Sequence, residues 1–242
     1  MTDDTVTPST PPPRLAGVLN VDKSAGLSSA RVVGRVKRLL PRGTKIGHAG
    51  TLDPFATGVL LLLVGKATKS CEQLMGQRKG YEATVRFGAT TATDDLESAE
   101  ESFTGAEERG TTLTLEQVRA AAEKFVGEIE QVPPVYSALK VGGRRSYELA
   151  RKGLAVAPKP RRVIIYSLEV LDFAWPVARL RVECGRGTYI RSIARELGAA
   201  LGVGGYLTQL RRTFLGPYHV IDAVTVEILQ GEGVEGRLGA VV

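Results

Sequence analysis

The sequence predicts an α+β fold. Stretches with the two-residue period of strands and the 3.6-residue period of helices both occur along the 242 residues, without a regular strand–helix–strand rhythm. That irregular order favours an α+β arrangement over a doubly wound parallel sheet. A hydrophobic content of 43% and a charged content of 24% are ordinary for a soluble globular protein with a sizeable core.

The first strand and the first helix are predicted within the first forty residues. Met1–Arg14 is rich in proline and poor in apolar residues, so we expect a disordered tail there. Gly17–Asp22 predicts a strand, and Ser28 or Ser29 can cap a helix that runs to about Leu40. The apolar positions of this helix follow its period: Val32, Val33, Val36 and Leu39.

Loop and strand patterns follow. Residues 41–58 are Gly-rich and have no periodicity, which predicts a loop. The apolar run Val59–Val64 predicts a buried strand. Tyr81–Phe87 alternates apolar and polar side chains, as a strand with one buried face does. Residues 88–113 are polar and acidic, and we expect a loop there.

The second half of the chain begins with a helix signal. Thr114 and Gln117 have the spacing of a capping box, which predicts a helix that ends near Gly127. Residues 131–162 have few apolar side chains and predict an insertion with one short helix near Ser146–Lys152. Later patterns predict strands at 163–173, 178–183, 207–214 and 218–223 and a helix at 190–201. We therefore divide the chain into a tail at 1–14, one domain at 15–223, and a short C-terminal tail at 224–242.

Composition excludes several classes of protein. The longest aliphatic run, Val59–Val64, is far shorter than the ~20 residues that cross a bilayer, and the polar N-terminus does not resemble a signal peptide. Two cysteines, Cys71 and Cys184, and two histidines, His48 and His219, leave little room for disulfides or a metal centre. We therefore expect a cytoplasmic protein with no membrane partner and no metal.

The net charge of +6 is unevenly distributed. Residues 94–130 hold eleven acidic and three basic residues, so the rest of the chain is strongly basic. Residues 131–162 hold one acid, Glu148, with Tyr136 and Tyr147 interleaved among eight basic residues: Lys140, Arg144, Arg145, Arg151, Lys152, Lys159, Arg161 and Arg162. This composition favours a nucleic-acid-binding segment over a merely solvated surface.

Asp53 stands apart from its surroundings. It lies in the Gly-rich segment Gly47–Gly58, and it is the only acid between Asp22 and Glu72, where the chain has nine basic residues. An acid on a phosphate-binding surface gains nothing electrostatically, which suggests a chemical role. Asp53-Pro54 is also a common turn signal, and from the residues alone a structural carboxylate is the favoured interpretation.

Other segments stand in a fixed order around Gly47–Gly58: Gly17–Lys23, Gly26–Ser29, Lys79–Tyr81, Gln131–Lys140, Gly187–Arg191 and Leu210–Arg212. Together these segments resemble the motifs of the TruB family of bacterial tRNA pseudouridine synthases, and Gly47–Gly58 resembles the active-site loop of that family. The resemblance extends from about Gly17 to Ala223. It implies the catalytic fold of pseudouridine synthases, a mixed and mostly antiparallel sheet flanked by helices.

The resemblance implies a role for each matching residue. Asp53 matches the catalytic aspartate, and Arg191 matches the arginine that pairs with it. Tyr81 matches the aromatic ring that stacks on the flipped uracil, and His48 matches a histidine that helps to extrude the nucleotide. Two further residues match the lining of the base pocket: Tyr189 and Leu210.

The implied reaction is the isomerisation of the T-loop uridine of tRNA, at position 55, to pseudouridine. The N1–C1′ bond breaks, the base turns, and C5 joins C1′, so no cofactor is expected. Asp53 would act as a nucleophile or as a base, and Arg191 would offset the cost of burying its charge. We expect the T-arm of tRNA as the partner of a monomer without an obligate protein partner. The expected RNA contacts are Lys23, Lys140, Arg144, Arg145, Arg151 and Lys152.

Two other functions stay open. A non-catalytic tRNA-binding or folding protein could use the same scaffold, and a pseudouridine synthase could act on another RNA. The sequence also departs from the family at two places. Ser24 stands where the family usually has proline, and only residues 224–242 follow the last matching strand, where members commonly carry an RNA-binding PUA domain. We therefore expect no complete PUA domain.

Overall fold

A nine-stranded mixed sheet forms the centre of the computed structural model, which describes residues 15–137, 139–141, 144–145 and 158–241. The predicted tail at Met1–Arg14 and the predicted helix near Ser146–Lys152 lie outside the described residues. The strands are β1 (Gly17–Lys23), β2 (Ile46–Ala49), β3 (Thr57–Val64), β4 (Lys79–Phe87), β5 (Ala89–Thr91), β6 (Glu100–Ser102), β7 (Gly127–Gln131), β8 (Lys140–Val141), β9 (Arg144–Arg145), β10 (Arg161–Ala174), β11 (Val177–Cys184), β12 (Gly205–Leu215) and β13 (Tyr218–His219).

The central sheet has the order β1-β3-β12-β4-β11-β10-β7, with β2 paired to β3 and β13 to β12. The β3–β12 pair is parallel, and the other pairs of this sheet are antiparallel. The prediction of an α+β fold with a mixed, mostly antiparallel sheet is confirmed. Two short hairpins, β5–β6 and β8–β9, lie outside the central sheet.

Helices lie on both faces of the sheet. They are α1 (Ser29–Lys37), α2 (Cys71–Gly76), α3 (Ala106–Gly110), α4 (Leu115–Glu123), α5 (Ile190–Leu201) and α6 (Val226–Glu232). The larger hydrophobic core lies between the sheet and the apolar sides of α1, α4, α5 and α6. A smaller core of α2 and the 3₁₀ turn at 65–70 packs against the opposite face of β3. Because both faces of β3 are buried, its sequence is an almost continuous apolar run.

Local signals in the sequence fix the starts of two helices. Ser28 caps α1, and its Oγ accepts a hydrogen bond from the backbone of Arg31 at 3.2 Å. Thr114 and Gln117 form the predicted capping box at the start of α4. The helix ends are earlier than predicted, since α1 stops at Lys37 and α4 at Glu123. Beyond each helix the chain tightens into turns with hydrogen bonds to the third residue before, from Leu39 to Val36 and from Phe125 to Ala122, and Leu39 and Phe125 pack against the larger core.

Several segments differ from the predictions. The expected loop at 41–58 contains β2, and the expected loop at 88–113 contains β5, β6 and α3. The strand predicted at 218–223 is shortened to β13, because the chain turns into a 3₁₀ helix at 220–222. The segment after residue 223 is ordered: α6 buries Val226 and Leu229 in the larger core. This segment also pairs with β1, through Val18 with Gly239 and Val21 with Val224.

Candidate active site

Asp53 and Arg191 form a two-point ion pair between the β2–β3 loop and the first turn of α5. Nε of Arg191 lies 3.0 Å from Oδ2 of Asp53, and Nη2 donates a hydrogen bond to Oδ1 at 3.1 Å. The side chain of Arg191 is 5% exposed and that of Asp53 is 31% exposed. The guanidinium is therefore an internal support, while the carboxylate keeps a face toward solvent.

Asp95 is a second carboxylate on the same guanidinium. Its Oδ2 accepts a hydrogen bond from Nη1 of Arg191 at 3.0 Å, and its Oδ1 accepts from Thr93 Oγ1 at 2.6 Å and from the backbone of Glu97 at 2.9 Å. Its side chain is 2% exposed. No sequence pattern singles out Asp95, because it lies in the polar and acidic stretch at 88–113, which predicts a loop. The carboxylate beside it, on Asp94, turns instead to Arg195.

Electrostatics at Asp53 combine opposing effects. Burial raises the pKa of Asp53 above its ordinary value; Arg191 acts against this rise, the nearby charge of Asp95 adds to it, and Lys23 opposes it. The positive charge of Arg191 therefore favours the ionised form of Asp53 against the effect of burial. Arginine suits the task because it stays protonated and does not compete as a base.

Lys23 lies inside the protein and anchors the loop that carries Asp53. Its side chain is fully buried, and Nζ donates to the carbonyls of Leu27 at 2.6 Å, Ser24 at 3.0 Å and Pro54 at 3.1 Å. Burial lowers the pKa of Lys23 to about 8. The RNA contact of Lys23 stays a prediction, and this placement argues against it, because the side chain is buried and its three N–H groups donate to backbone carbonyls.

The other side of the Asp53 loop is held by Arg212, which is 1% exposed. Its Nη2 donates to the carbonyl of Gly50 at 3.1 Å, and its Nε donates to that of Val59 at 2.6 Å. Between these points the hydroxyl of Ser29 bonds both backbone groups of Leu52. The loop is thus fixed at positions before and after Asp53.

The start of α5 is fixed in a similar way. The side-chain amide of Gln131, at the end of β7, accepts from the backbone nitrogen of Tyr189 at 2.8 Å and donates to its carbonyl at 3.1 Å. This contact sets the position of Tyr189, the N-cap residue of α5, which lies two residues before Arg191. The end of β7 therefore helps to position the guanidinium of Arg191.

A cavity of about 340 Å³ opens beside Asp53. Its lining brings together five of the six residues predicted for the reaction centre: Asp53, Tyr81, Tyr189, Arg191 and Leu210. The sixth, His48, lies half-buried on β2 and outside the lining. Besides Asp53, the charged lining residues are cationic: Lys79, Arg161, Arg186, Arg191 and Arg212. The cavity is therefore suited to an anionic ligand.

A larger cavity, of about 760 Å³, shares only Leu210 with the predicted set. Its charged residues are balanced in sign: Glu82, Glu97, Arg179 and Arg211. Arg211 is also paired to Asp22, with Nη2 2.7 Å from Oδ2. The smaller cavity is therefore the candidate active site.

The predicted basic insertion is described in part. Lys140 lies on β8 and pairs in register with Arg145 on β9, while Arg144 pairs with Val141, so the segment begins with a two-stranded hairpin. Arg151 and Lys152 lie outside the described residues. Within the described ranges, no three His, Cys, Asp or Glu side chains are placed to hold a metal ion.

In the described part of the chain, no helix is both long enough and apolar enough to span a bilayer.

Two family models match the chain in succession. The model of the TruB family pseudouridylate synthase N-terminal domain matches residues 37–190. The chain belongs to the TruB family. The model of the tRNA pseudouridylate synthase B C-terminal domain matches residues 191–237, a range that includes α6 and so extends beyond the domain boundary predicted at residue 223. Membership of the TruB family confirms the predicted enzyme class, a pseudouridine synthase.

Curated relatives agree with this TruB assignment. A protein of Aromatoleum aromaticum named tRNA pseudouridine synthase B is 46% identical over 223 residues, which cover 92% of this chain and 70% of the relative. A protein of Bordetella avium with the same name is 45% identical over 221 residues, which cover 89% of this chain and 87% of the relative.

Solved structures give the same fold. A chain in the crystal structure of a Cbf5-Nop10-Gar1 complex is 29% identical with a TM-score of 0.67, and the match covers 91% of this chain and 57% of that one. A chain in the structure of an H/ACA RNP bound to a substrate RNA containing 2′-deoxyuridine is 28% identical with a TM-score of 0.65, covering 90% of this chain and 53% of that one. The TruB chain thus spans little more than half the length of these two chains.

Proposed function

We propose that this TruB-family chain converts the uridine at position 55 in the T-loop of tRNA to pseudouridine, with Asp53 as the catalytic residue. The observation that carries the proposal is the Asp53–Arg191 ion pair on the wall of a cationic cavity. A carboxylate can act there as a nucleophile or as a base, and both roles require its ionised form. Arg191 favours that form and fixes the direction of the two oxygens.

The cavity fits a nucleotide that has left its stack. Its volume, about 340 Å³, lies within the range of roughly 300–1,000 Å³ of small-ligand sites. Extruding a base costs a few kcal/mol of stacking, and an aromatic platform can return ~1–3 kcal/mol of it. Tyr81 and Tyr189 offer aromatic surface in this cavity, while Leu210 supplies an apolar wall.

RNA binding is supported by charge. The cationic lining suits the phosphates that flank the reacting nucleotide, and the β8–β9 hairpin carries Lys140, Arg144 and Arg145 along the chain segment that leads from the cavity wall at Leu139. On this proposal the enzyme acts on the T-arm of tRNA in the cytoplasm, as a monomer that needs no protein partner and no cofactor. Nop10 and Gar1 are components of the solved Cbf5-Nop10-Gar1 complex and are not proposed as partners here.

The proposal is tested by incubating the purified chain with an unmodified tRNA transcript and mapping pseudouridine by carbodiimide-stop sequencing. We expect one stop, at position 55, and none with Asp53→Asn or with a transcript that carries cytidine there. RNA binding without any stop would support the non-catalytic alternative. Stops elsewhere in tRNA or in another RNA, with position 55 unchanged, would support a different RNA substrate.

A further inference from the structure

The guanidinium carbon of Arg78 lies over the ring of Tyr166, next to residues that line the active-site cavity. Cζ of Arg78 is 3.7 Å from the ring centroid. Arg78 is exposed, and Tyr166 is 39% exposed. Both residues adjoin the cavity lining. Arg78 directly precedes Lys79, and the hydroxyl of Tyr166 is 3.7 Å from the point where a Cβ on Gly185 would lie. We call Arg78 and Tyr166 the rim pair.

The surroundings of the rim pair are basic. Arg161 and Arg186 line the cavity, and Arg162 follows on β10. Three acids lie in this part of the fold: Glu72 is 2.7 Å from Arg186, Glu128 is 3.3 Å from Arg162, and Glu183 is opposite Ser167 in the β10–β11 pairing. Arg78 lies instead over the π-face of Tyr166, and the residue is exposed to solvent. Exposed guanidinium groups beside an aromatic ring are typical of surfaces that follow a nucleic-acid backbone.

We propose that the rim pair is a binding site for the RNA backbone next to the flipped uridine, an inference that rests on the proposed function. A nucleotide in the cavity remains joined to both neighbours, so the strand must cross the rim. Guanidinium binds phosphate through two parallel N–H donors in its own plane. The contact with the face of Tyr166 restricts the Arg78 side chain and uses no carboxylate or carbonyl acceptor, so less side-chain freedom is lost when a phosphate binds.

The test measures binding of an unmodified tRNA transcript to chains that carry Asp53→Asn, so that the RNA is not converted. Affinity is determined over a range of salt concentrations for the Asp53→Asn chain alone and with Arg78→Ala, Tyr166→Phe or Tyr166→Leu added. Arg78→Ala should reduce the slope of log affinity against log salt by ~0.7, the value for one phosphate contact to a single strand. Tyr166→Leu should weaken binding about two- to fivefold, the loss expected for an exposed cation–π contact, whereas Tyr166→Phe should keep the affinity of its background.

Arg181→Ala is the matched control. Arg181 is an exposed arginine on β11 that pairs with Glu169, at 3.0 Å, and does not line the cavity. We expect it to keep the salt slope of the background chain. An unchanged slope for Arg78→Ala, or an equal reduction for Arg181→Ala, would overturn the proposal; an unchanged affinity for Tyr166→Leu would overturn the part given to the ring.

The outcomes stay separate from those of the proposed function. Partial unfolding of a variant lowers the concentration of active protein and leaves the slope unchanged, so the slope reports the contact itself. If the parent chain forms pseudouridine in tRNA while Arg78→Ala has the background slope, only the rim-pair proposal fails. If the parent chain forms no pseudouridine, the proposed function fails, whatever salt slope Arg78→Ala shows.

Discussion

Asp95 accepts a hydrogen bond of 3.0 Å from Nη1 of Arg191, on the side of the guanidinium away from Asp53. The acidic segment of the chain thus reaches the centre of the site, and its carboxylate is buried while most acids around it are exposed. A guanidinium held between two carboxylates cannot turn without losing one of them. Asp95 is therefore a positioning residue, which sets the direction of the group that Asp53 depends on.

Asp95→Asn should lower the rate constant for pseudouridine formation in single turnover by ~10–100-fold, because small displacements of reacting groups have effects of that size. The free energy of unfolding should fall by about 1–3 kcal/mol, since a buried charged hydrogen bond is weakened. Asp94→Asn, the same change one residue earlier, is the control, because Asp94 pairs with Arg195. Equal rates for Asp95→Asn and the parent would show that Arg191 needs no second carboxylate.

Asp53→Asn should abolish turnover. It should leave tRNA binding intact or slightly tighter, because the substitution removes one negative charge from a cationic cavity that binds an anionic ligand. The variant should also unfold at the same temperature as the parent or higher. Burial raises the pKa of Asp53 in the folded protein, so ionising it at neutral pH costs folding free energy that a neutral amide avoids. Single-turnover assays, binding assays and thermal unfolding at pH 7 measure these effects. A near-normal rate would falsify the catalytic assignment.

Arg191→Gln should move the acid limb of the pH–rate profile toward higher pH. Arg191 lowers the pKa of Asp53 against the effect of burial, so its removal raises that pKa, and more of the carboxyl is protonated and inactive at a given mildly acidic pH. Arg191→Lys keeps the charge and should shift the limb less, but its plateau should fall by about tenfold or more, because the two-point contact is lost. An unchanged plateau for Arg191→Lys at saturating tRNA would contradict the pairing role.

Lys23→Met should reduce the free energy of unfolding by about 2–4 kcal/mol, because three partly buried carbonyls lose their charged donor. The slope of log affinity for tRNA against log salt should stay at the parent value. A buried ammonium does not contact an RNA phosphate and therefore displaces no counterion from it. Lys66→Met changes an exposed lysine and should shift stability by no more than ~0.5 kcal/mol. A lower salt slope with normal stability would restore Lys23 as a phosphate contact.

Arg144→Ala with Arg145→Ala should weaken tRNA binding and reduce the salt slope by ~0.7–0.9 for each phosphate contact removed. The alternative RNA-binding surface is the basic face of α1. The comparison variant therefore replaces Arg31, Lys37 and Arg38 by alanine. Both variants are measured over the same salt range. If the hairpin variant keeps the salt dependence of the parent and the α1 variant shows a reduced one, the phosphate contacts belong to α1.

Elements with a clear period could be predicted from the sequence, and those formed by tertiary pairing could not. Helix α5 has the predicted bounds, 190–201, because its apolar stripe and its flanking glycines are local features. Strand β2 carries no period and forms because its backbone pairs with β3. Strand β7, with the sequence GEIEQ, exposes both of its glutamates, and no apolar pattern marks it.

The site residues likewise include some that could be predicted from the sequence and some that only the folded chain reveals. Asp53 and Arg191 are far apart in the sequence, and only the resemblance to the TruB family placed them together. Asp95 could not be distinguished from Asp94, because the two adjacent acids differ only in the direction that the folded backbone gives them. Lys23 was predicted as an RNA contact, and no sequence signal indicates its burial, which depends on three carbonyls that only the folded loops bring together.

The pairing of the C-terminal segment with β1 also bears on how this sheet avoids aggregation. Strand β1 ends the sheet, and an unpaired edge is a template for strands of other molecules. Reciprocal hydrogen bonds of 2.9 Å between Val18 and Gly239, and a bond of 2.9 Å from Asp22 to Val224, occupy that edge. The opposite edge, β7, is five residues long and carries two exposed glutamates, which repel an incoming strand by charge. One edge of the sheet is thus blocked by the protein's own backbone and the other by like charge.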